Sequence, residues 1–308
     1  MSLRPFFVGG ARGASLLCLI ASLVVLSACR PEIPEAYADA PGAAVEASSP
    51  VSPDHLGSAF RSSVWDDGRA EVLQYDGTRV LYGAPRPFVL SMIVVKEALN
   101  RETLVKSDAP DAAETIDVLK LHTVVDIPTP NYPYHYATSV FVDRANPFVV
   151  RKLTAATSEW CGITHRQLLR RGDTLVGSLH SYFEGETDGD VAIDMQGVVT
   201  EEQLLVAVRA LDLSTEGSMP LRVLVRQADT HARAPRVRAG TLTMGPMSES
   251  EDATGARHDV RPVTFTWDGG TLRYDVEAAA PHRVIRHEAS DGIRLVLRES
   301  RRWAYWEM

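Results

Sequence analysis

By residue type, Cys161 in Glu159-Trp160-Cys161-Gly162 is best suited to covalent chemistry, because a thiolate is both a nucleophile and a redox centre. A thioredoxin-type site also reads Trp-Cys-Gly, but its cycle closes through a second cysteine at the position that Thr164 fills here. A papain-type site places Trp after the Cys, the reverse of this order. Free cysteine is among the most buried residue types, so Cys161 is expected to be a buried structural thiol. The nine histidines contain neither H-x-H nor H-E-x-x-H. His282 and His287, on an expected strand, fall on opposite faces and make poor joint ligands. Glu184, Glu186, Asp188, Asp190 and Asp194 lack the alternating oxygen pattern of a calcium loop and read as a solvated turn. No G-x-S-x-G, P-loop or glycine-rich phosphate fingerprint follows the N-terminal segment, so no catalytic residue, metal or cofactor is assigned.

Cys29 is a different case. Arg4 and Arg12 precede an apolar run from Leu16 to Leu26, and Leu26-Ser27-Ala28-Cys29 resembles a bacterial lipobox. The resemblance implies cleavage after residue 28 and acylation of Cys29, palmitate included. A membrane-spanning helix needs about 20 apolar residues, more than this run supplies. Arg30 stands where inner-membrane retention often uses Asp, which implies the outer membrane.

The formal net charge is −8 and the pI about 5.6, and loss of residues 1–28 removes two arginines and no acid. An acidic domain disfavours nucleic acid and anionic surfaces as partners. Acyl chains, at about 0.8 kcal/mol per buried CH₂, anchor such a protein without a basic patch. Cys18 leaves with the signal segment and Cys29 is spent on lipid, so Cys161 has no intrachain partner. The expected organisation is a signal peptide over 1–28, a lipidated disordered tether rich in Pro, Ala, Ser and Glu over 29–57, and one β-rich domain over 58–308.

Strand signals dominate that domain. Asp76-Gly77, Asp268-Gly269-Gly270 and Asp291-Gly292 each separate two alternating apolar runs, and Asp-Gly allows the positive φ of a tight turn, so three hairpins are predicted. Further strands are expected at 88–95, 118–125, 138–142, 149–153, 175–183 and 221–227. Thr200 followed by Gln203 forms a capping box before Leu204, Leu205, Val208 and Leu211, which predicts one helix of some 14 residues. The fold class is therefore mainly β (α+β): a curved antiparallel sheet or half-barrel with one or few helices. Phe265, Trp267 and Tyr274 alternate on the 263–267 and 272–276 runs and supply the expected wall of a lipophilic ligand site. Tyr132, Tyr134 and Tyr136 form a second aromatic row, and the loop around 126–136 could plug the interior.

Trp65-Asp66-Asp67-Gly68-Arg69-Ala70-Glu71, Val118-Leu119-Lys120-Leu121, Ser139-Val140-Phe141 and Glu159-Trp160-Cys161-Gly162 resemble segments of an uncharacterised family of bacterial envelope lipoproteins. Some members have carried the label of a Maf-type septum formation inhibitor. The Ser-x-Ser-Pro-Arg-Arg start of true Maf pyrophosphatases is not found here, so that activity does not carry over. Thr129-Pro130-Asn131-Tyr132 also stands where the family has Thr-Gly-Ile-Tyr. The closing Arg- and Trp-rich strand is similar in style to half-barrels of the LolA and LolB type, a likeness of fold alone. Together these features imply an envelope lipoprotein facing the periplasm from the outer membrane. It would bind a lipophilic ligand, act as a scaffold for an envelope protein, or carry an unrecognised enzymatic site. An enclosed apolar cavity, an exposed apolar patch over a filled interior, and converging titratable groups in a cleft distinguish the three.

Overall fold

A computed structural model describes residues 47–110 and 112–307; the expected signal segment, Cys29 and the first part of the tether lie outside the described residues. Alternation of buried and exposed side chains lays down the sheet. In β1 (Ala70–Leu81) Leu73 and Tyr75 point inward between half-buried neighbours. The pattern repeats through β2 (Ala84–Asn100), β3 (Thr115–Ile127), β4 (Tyr134–Asp143), β5 (Val150–Glu159), β6 (Gly162–Arg171), β7 (Thr174–His180) and β8 (Gly189–Asp194). These eight strands form an antiparallel meander, each paired with the next.

After β8 the chain makes β9 (Val198–Thr200) and one turn of helix, α1 (Leu204–Ala207), continued by a 3₁₀ turn at Val208–Ala210. It returns as β10 (Gly217–Leu224), β11 (Val237–Met244), β12 (Ser248–Glu251), β13 (Arg257–Trp267), β14 (Gly270–Glu277), β15 (Val284–Ala289) and β16 (Arg294–Trp303). β16 pairs with β1, so both halves belong to one sheet ordered β8 back to β1 and then β16, β15, β14, β13, β11, β10, β9, with β12 paired to the start of β13. Among the described residues, β9 and β10 are the one parallel pair. The two ends of this sheet, β8 and β9, are joined by three residues, Met195–Gly197. A sheet whose outer strands are tied so closely must curl on itself, and the result is a barrel-like, mainly β fold.

The barrel is largely filled by its own chain. Leu204, Val206, Ala207 and Val208 are fully buried inside the sheet. The Thr200–Gln203 capping box forms as expected, with the Gln203 N–H donating to Thr200 Oγ1 at 3.3 Å and the Thr200 N–H to Gln203 Oε1 at 2.7 Å. The helix is nevertheless much shorter than the apolar spacing predicts, because Leu211 turns to extended backbone and bridges to Leu56. A second internal piece, the segment between β10 and β11, crosses the inner faces of β5 and β6. Arg166 donates to the carbonyls of Gln227, Asp229 (2.9 Å) and His231, while Thr157 and Thr164 donate to those of Asp229 and Thr230. These two segments are the plug, whereas residues 128–133 form the tip of the β3–β4 hairpin at the barrel rim.

The Asp268-Gly269 and Asp291-Gly292 turns lie where expected. Asp76-Gly77 does not turn: β1 runs straight through it and the hairpin closes at Tyr82-Gly83, both at positive φ. Gly77 serves close packing instead, since a Cβ there would lie 2.3 Å from the ring of its cross-strand partner Phe88. The expected tether to residue 57 gives way earlier to packed chain. The Ser48 N–H donates to Asp173 Oδ1 at 2.8 Å, and Val51 is buried. Cys161 is exposed rather than buried, because Glu159 pairs with Gly162 and leaves Trp160 and Cys161 as the two outward residues of a tight hairpin turn.

Candidate functional site

Inside the barrel the wall and the plug leave a cavity of about 120 Å³. β2, β3 and β4 contribute an aliphatic wall that includes Leu90, Leu121, Val125 and Val140; Ile293 and Leu295 close it from the β15–β16 side and Leu205 from α1. Alternation on these strands places every second side chain inward, so the wall follows directly from the strand pattern. The polar members come from the two plug segments and from neighbouring strands: Glu201, Glu202 and Arg226, then Tyr274 on β14 and His287 on β15.

Glu202 is the unusual group. Its Oε1 accepts the backbone N–H groups of Gln227 and of Ala228, the latter at 3.0 Å. Its Oε2 is buried and has no hydrogen-bond partner among the described residues. Burial, followed by the adjacent Glu201 charge, pushes its carboxyl up to about 7. Glu201 is itself compensated by Arg226 at 3.7 Å and Arg238 at 3.4 Å, and Arg226 also reaches Asp291. Arg226 is therefore already engaged, and Arg79, which also lines the cavity, lies 3.9 Å from Asp229.

His287 stacks on Tyr274 with centroids 4.5 Å apart and planes at 17°. Its Nδ1 lies 3.0 Å from the Arg273 carbonyl, an acceptor, so Nδ1 carries the hydrogen and Nε2 is left as an acceptor. Burial pushes its pKa down to about 4 and raises the Tyr274 phenol well above its usual value, so both are neutral near pH 7. The cavity thus offers an aliphatic wall, the neutral rings of Tyr136, Tyr274 and His287, the Glu201–Arg226 ion pair and the Glu202 carboxyl, close to half-ionised. Such a set suits a molecule with an apolar body and one hydroxyl, carbonyl or carboxyl group.

Of the residues expected to line the ligand wall, Tyr274 reaches the cavity, whereas Phe265 and Trp267 are not among its lining. Phe265 is fully buried and stacks on Trp267 at 5.6 Å, and Arg238 covers Trp267 at 4.4 Å. The alternation correctly put Phe265 inward but could not tell cavity wall from packed core. Glu202 and His287 went unassigned, Glu202 because it sits within a helix-start signal. Three polar residues in a row, Glu201 to Gln203, ahead of an apolar run were the available hint. Tyr136 of the tyrosine row also lines the cavity, with Arg79 4.9 Å above its ring. In the acidic stretch, Gly189–Asp194 forms β8 and Glu186 latches the plug, accepting from Ser181, His231 and the Ala232 N–H. Among the described residues no group of three or more His, Cys, Asp or Glu is arranged to hold a metal ion.

No protein-family model matches the chain, and no curated protein matches it in sequence. Two solved structures show a partial likeness to this chain. One is a beta-barrel-like protein of the domain of unknown function DUF1849 from Brucella abortus, with a TM-score of 0.45 and 11% identity over 76% of this chain and 98% of that one. The other is a DUF1089 family protein from Pseudomonas aeruginosa, with a TM-score of 0.37 and 14% identity over 55% of this chain and 83% of that one.

Proposed function

We propose that this protein is an envelope lipoprotein, held on the outer membrane by acyl chains on Cys29, whose barrel-like domain binds a small amphiphile in the internal cavity. The observation that carries the reading is the buried, unpartnered Oε2 of Glu202, a residue that lines a cavity with an aliphatic wall on one side and polar groups on the other. A buried polar atom left unsatisfied costs about 1–3 kcal/mol, a cost that a ligand hydroxyl or carboxyl would relieve. Size limits the ligand. An apolar cavity of about 150 Å³ binds benzene, so about 120 Å³ takes a short aliphatic segment or a small ring and not a whole phospholipid. A longer lipid would enter only by its end unless the segment between β10 and β11 moved.

Native mass spectrometry of protein extracted gently from membranes tests this reading. The expected result is an acylated N-terminal peptide and a non-covalent adduct of low mass that organic extraction removes. A Cys29→Ser variant that stays membrane-bound would count against the anchor, and protein that carries and rebinds nothing would count against the ligand. A scaffold is the second reading. It is favoured by the filled interior together with an outer groove of about 770 Å³ over β16, β1, β2 and β3, floored in part by Val89, Val124 and Val296.

A further inference from the structure

Four arginines are buried among the described residues. Three of them reach a carboxylate: Arg209 meets Glu71 at 2.8 Å, Arg170 meets Asp173 at 2.7 Å and Arg261 meets Glu216 at 3.9 Å. Arg166, 2% exposed, is in contact with no carboxylate of the described residues. Its guanidinium donates to main-chain carbonyls alone, those of Gln227, Asp229 and His231, and its Nε is buried with no hydrogen-bond partner among the described residues. The carboxylate of Asp229 turns toward Arg79 instead, 3.9 Å away. A buried cation held only by neutral dipoles keeps much of its desolvation cost, so the interior favours an anion beside Arg166.

Other donors surround it. The register sets Tyr136, Thr157 and Thr164 in one cross-strand row of β4, β5 and β6, and Thr138, Ala155 and Arg166 in another row of the same inner face. Thr157 and Thr164 donate to the carbonyls of Asp229, at 3.2 Å, and of Thr230, so donors from both rows converge on one short stretch of chain. Tyr136 and Thr138 line the cavity, and the donor cluster therefore adjoins its wall.

The stretch that covers these donors has little apolar anchorage. Between Arg226 and Arg236 its apolar side chains are three alanines and Pro235, whereas the helical turn fills the barrel with Leu204, Val206 and Val208. Its other ties are polar: Glu202 accepts the N–H groups of Gln227 and Ala228, and Glu186 accepts that of Ala232. Lifting it away exposes few apolar groups, and its freed amides and carbonyls regain hydrogen bonds in water.

We propose that residues 227–231 are a removable strap whose carbonyls occupy the headgroup site of a fatty carboxylate. The ligand's carboxylate displaces them to pair with Arg166, and its alkyl chain lies along the aliphatic wall. The inference rests on the cavity reading above and lengthens its ligand from a short amphiphile to a chain that also fills the space under the strap. A carboxylate accepts the two-pronged bond that a guanidinium offers, and such charge-assisted bonds are roughly twice as strong as neutral ones. Thr157 and Thr164 supply further donors to the same head. A neutral alcohol of equal length gains none of this charge pairing.

The test uses full-length protein, extracted and freed of lipid, near pH 7. Titration calorimetry measures binding of decanoate, decanol and cyclohexanol, and hydrogen exchange follows the amides of Gln227, Ala228 and Ala232. The expected result is saturable decanoate binding that weakens at least tenfold in Arg166→Gln, with decanol and cyclohexanol unaffected by the substitution. In the parent protein decanoate should speed exchange of the three amides at least tenfold, while cyclohexanol leaves them as they were. That exchange result needs no variant and decides the matter if Arg166→Gln does not fold. Decanoate that does not bind, binds both proteins equally, or leaves the three amides protected overturns the strap. Cyclohexanol still bound in that case keeps the cavity reading standing, whereas failure of all three molecules removes both.

Discussion

Arg209 and Glu71, 138 residues apart in sequence, meet inside the barrel in a two-pronged ion pair of 2.8 and 3.1 Å, with side chains 0% and 2% exposed. Arg209 also donates to the carbonyls of His282 and Pro281 and lies over the rings of Phe60 and Trp65. One guanidinium thereby ties the internal helical turn to β1 and to the β14–β15 connection. Arg166 does the same for the segment between β10 and β11, and Arg261 for Leu213, Ser214 and Gly245. The plug is held by inward arginines capping backbone carbonyls that the sheet cannot pair.

Removing one member of the buried pair should therefore be costly. Arg209→Met leaves Glu71 charged and buried, for which about 3–5 kcal/mol is expected. Adding Glu71→Gln to that variant should restore part of the loss. Urea denaturation of the parent, of Arg209→Met, of Glu71→Gln and of the double variant closes the cycle, and additive losses would argue against a coupled pair.

Glu202 and His287 give opposite pH dependences. The raised Glu202 pKa means that the folded state holds a proton the unfolded chain has lost between about pH 4.5 and 7, so its contribution to stability falls as pH rises through that window. The lowered His287 pKa means that the unfolded chain binds the extra proton between about 4 and 6.5, so its contribution rises with pH there. The two largely offset each other. Glu202→Gln removes only the falling arm, so its stability relative to the parent should improve from pH 5 to pH 8 by up to about 3 kcal/mol. A pH-independent difference between the two would show that Glu202 has an ordinary pKa.

Two glycines test close packing. Gly77→Ala meets the Phe88 ring, which can shift into the cavity, and should cost about 1–3 kcal/mol. Gly177→Ala would put its Cβ 1.8 Å from the Gln167 carbonyl oxygen, so β6 and β7 must part and the loss should be larger. Thermal unfolding of both variants in one buffer checks the order.

The hairpin around Asp268-Gly269 and the capping box at Thr200 were legible because each depends on neighbours in sequence. β6 was not, because its inward row includes Arg166 and Arg170, which no apolar pattern marks. β8 was hidden by its acids, with Ile193 its single buried residue. Asp76-Gly77 carries the local signature of a turn and is overridden by eleven cross-strand pairs between β1 and β2. The helix length was overestimated because the extended backbone of Leu211, which bridges to Leu56, outweighs the continuing apolar spacing. As for the cavity, Tyr274 could be placed on its wall by alternation, while Glu202 acquires its character only from the Gln227 and Ala228 amides, which tertiary folding brings to it.

Cys161 illustrates the same limit, since average burial of cysteine was a poor guide to one residue at a two-residue hairpin tip. The native thiol should react completely and in a single fast phase with a disulfide reagent at pH 8, and Cys161→Ser should leave thermal unfolding unchanged. Labelling only after denaturation would contradict the exposed turn.

The central claim is that the barrel encloses a ligand site ending at Glu202. The most direct measurement follows the His287 ring resonances by NMR while extracted, full-length protein is titrated at pH 6 with cyclohexanol and with hexanoic acid. The account predicts saturable shifts of the His287 signals with both, weakened for hexanoic acid at pH 8, where Glu202 and the ligand are both ionised, and abolished in a Leu205→Trp variant that remains folded. His287 signals unmoved by either molecule in protein shown to be folded and ligand-free would contradict it.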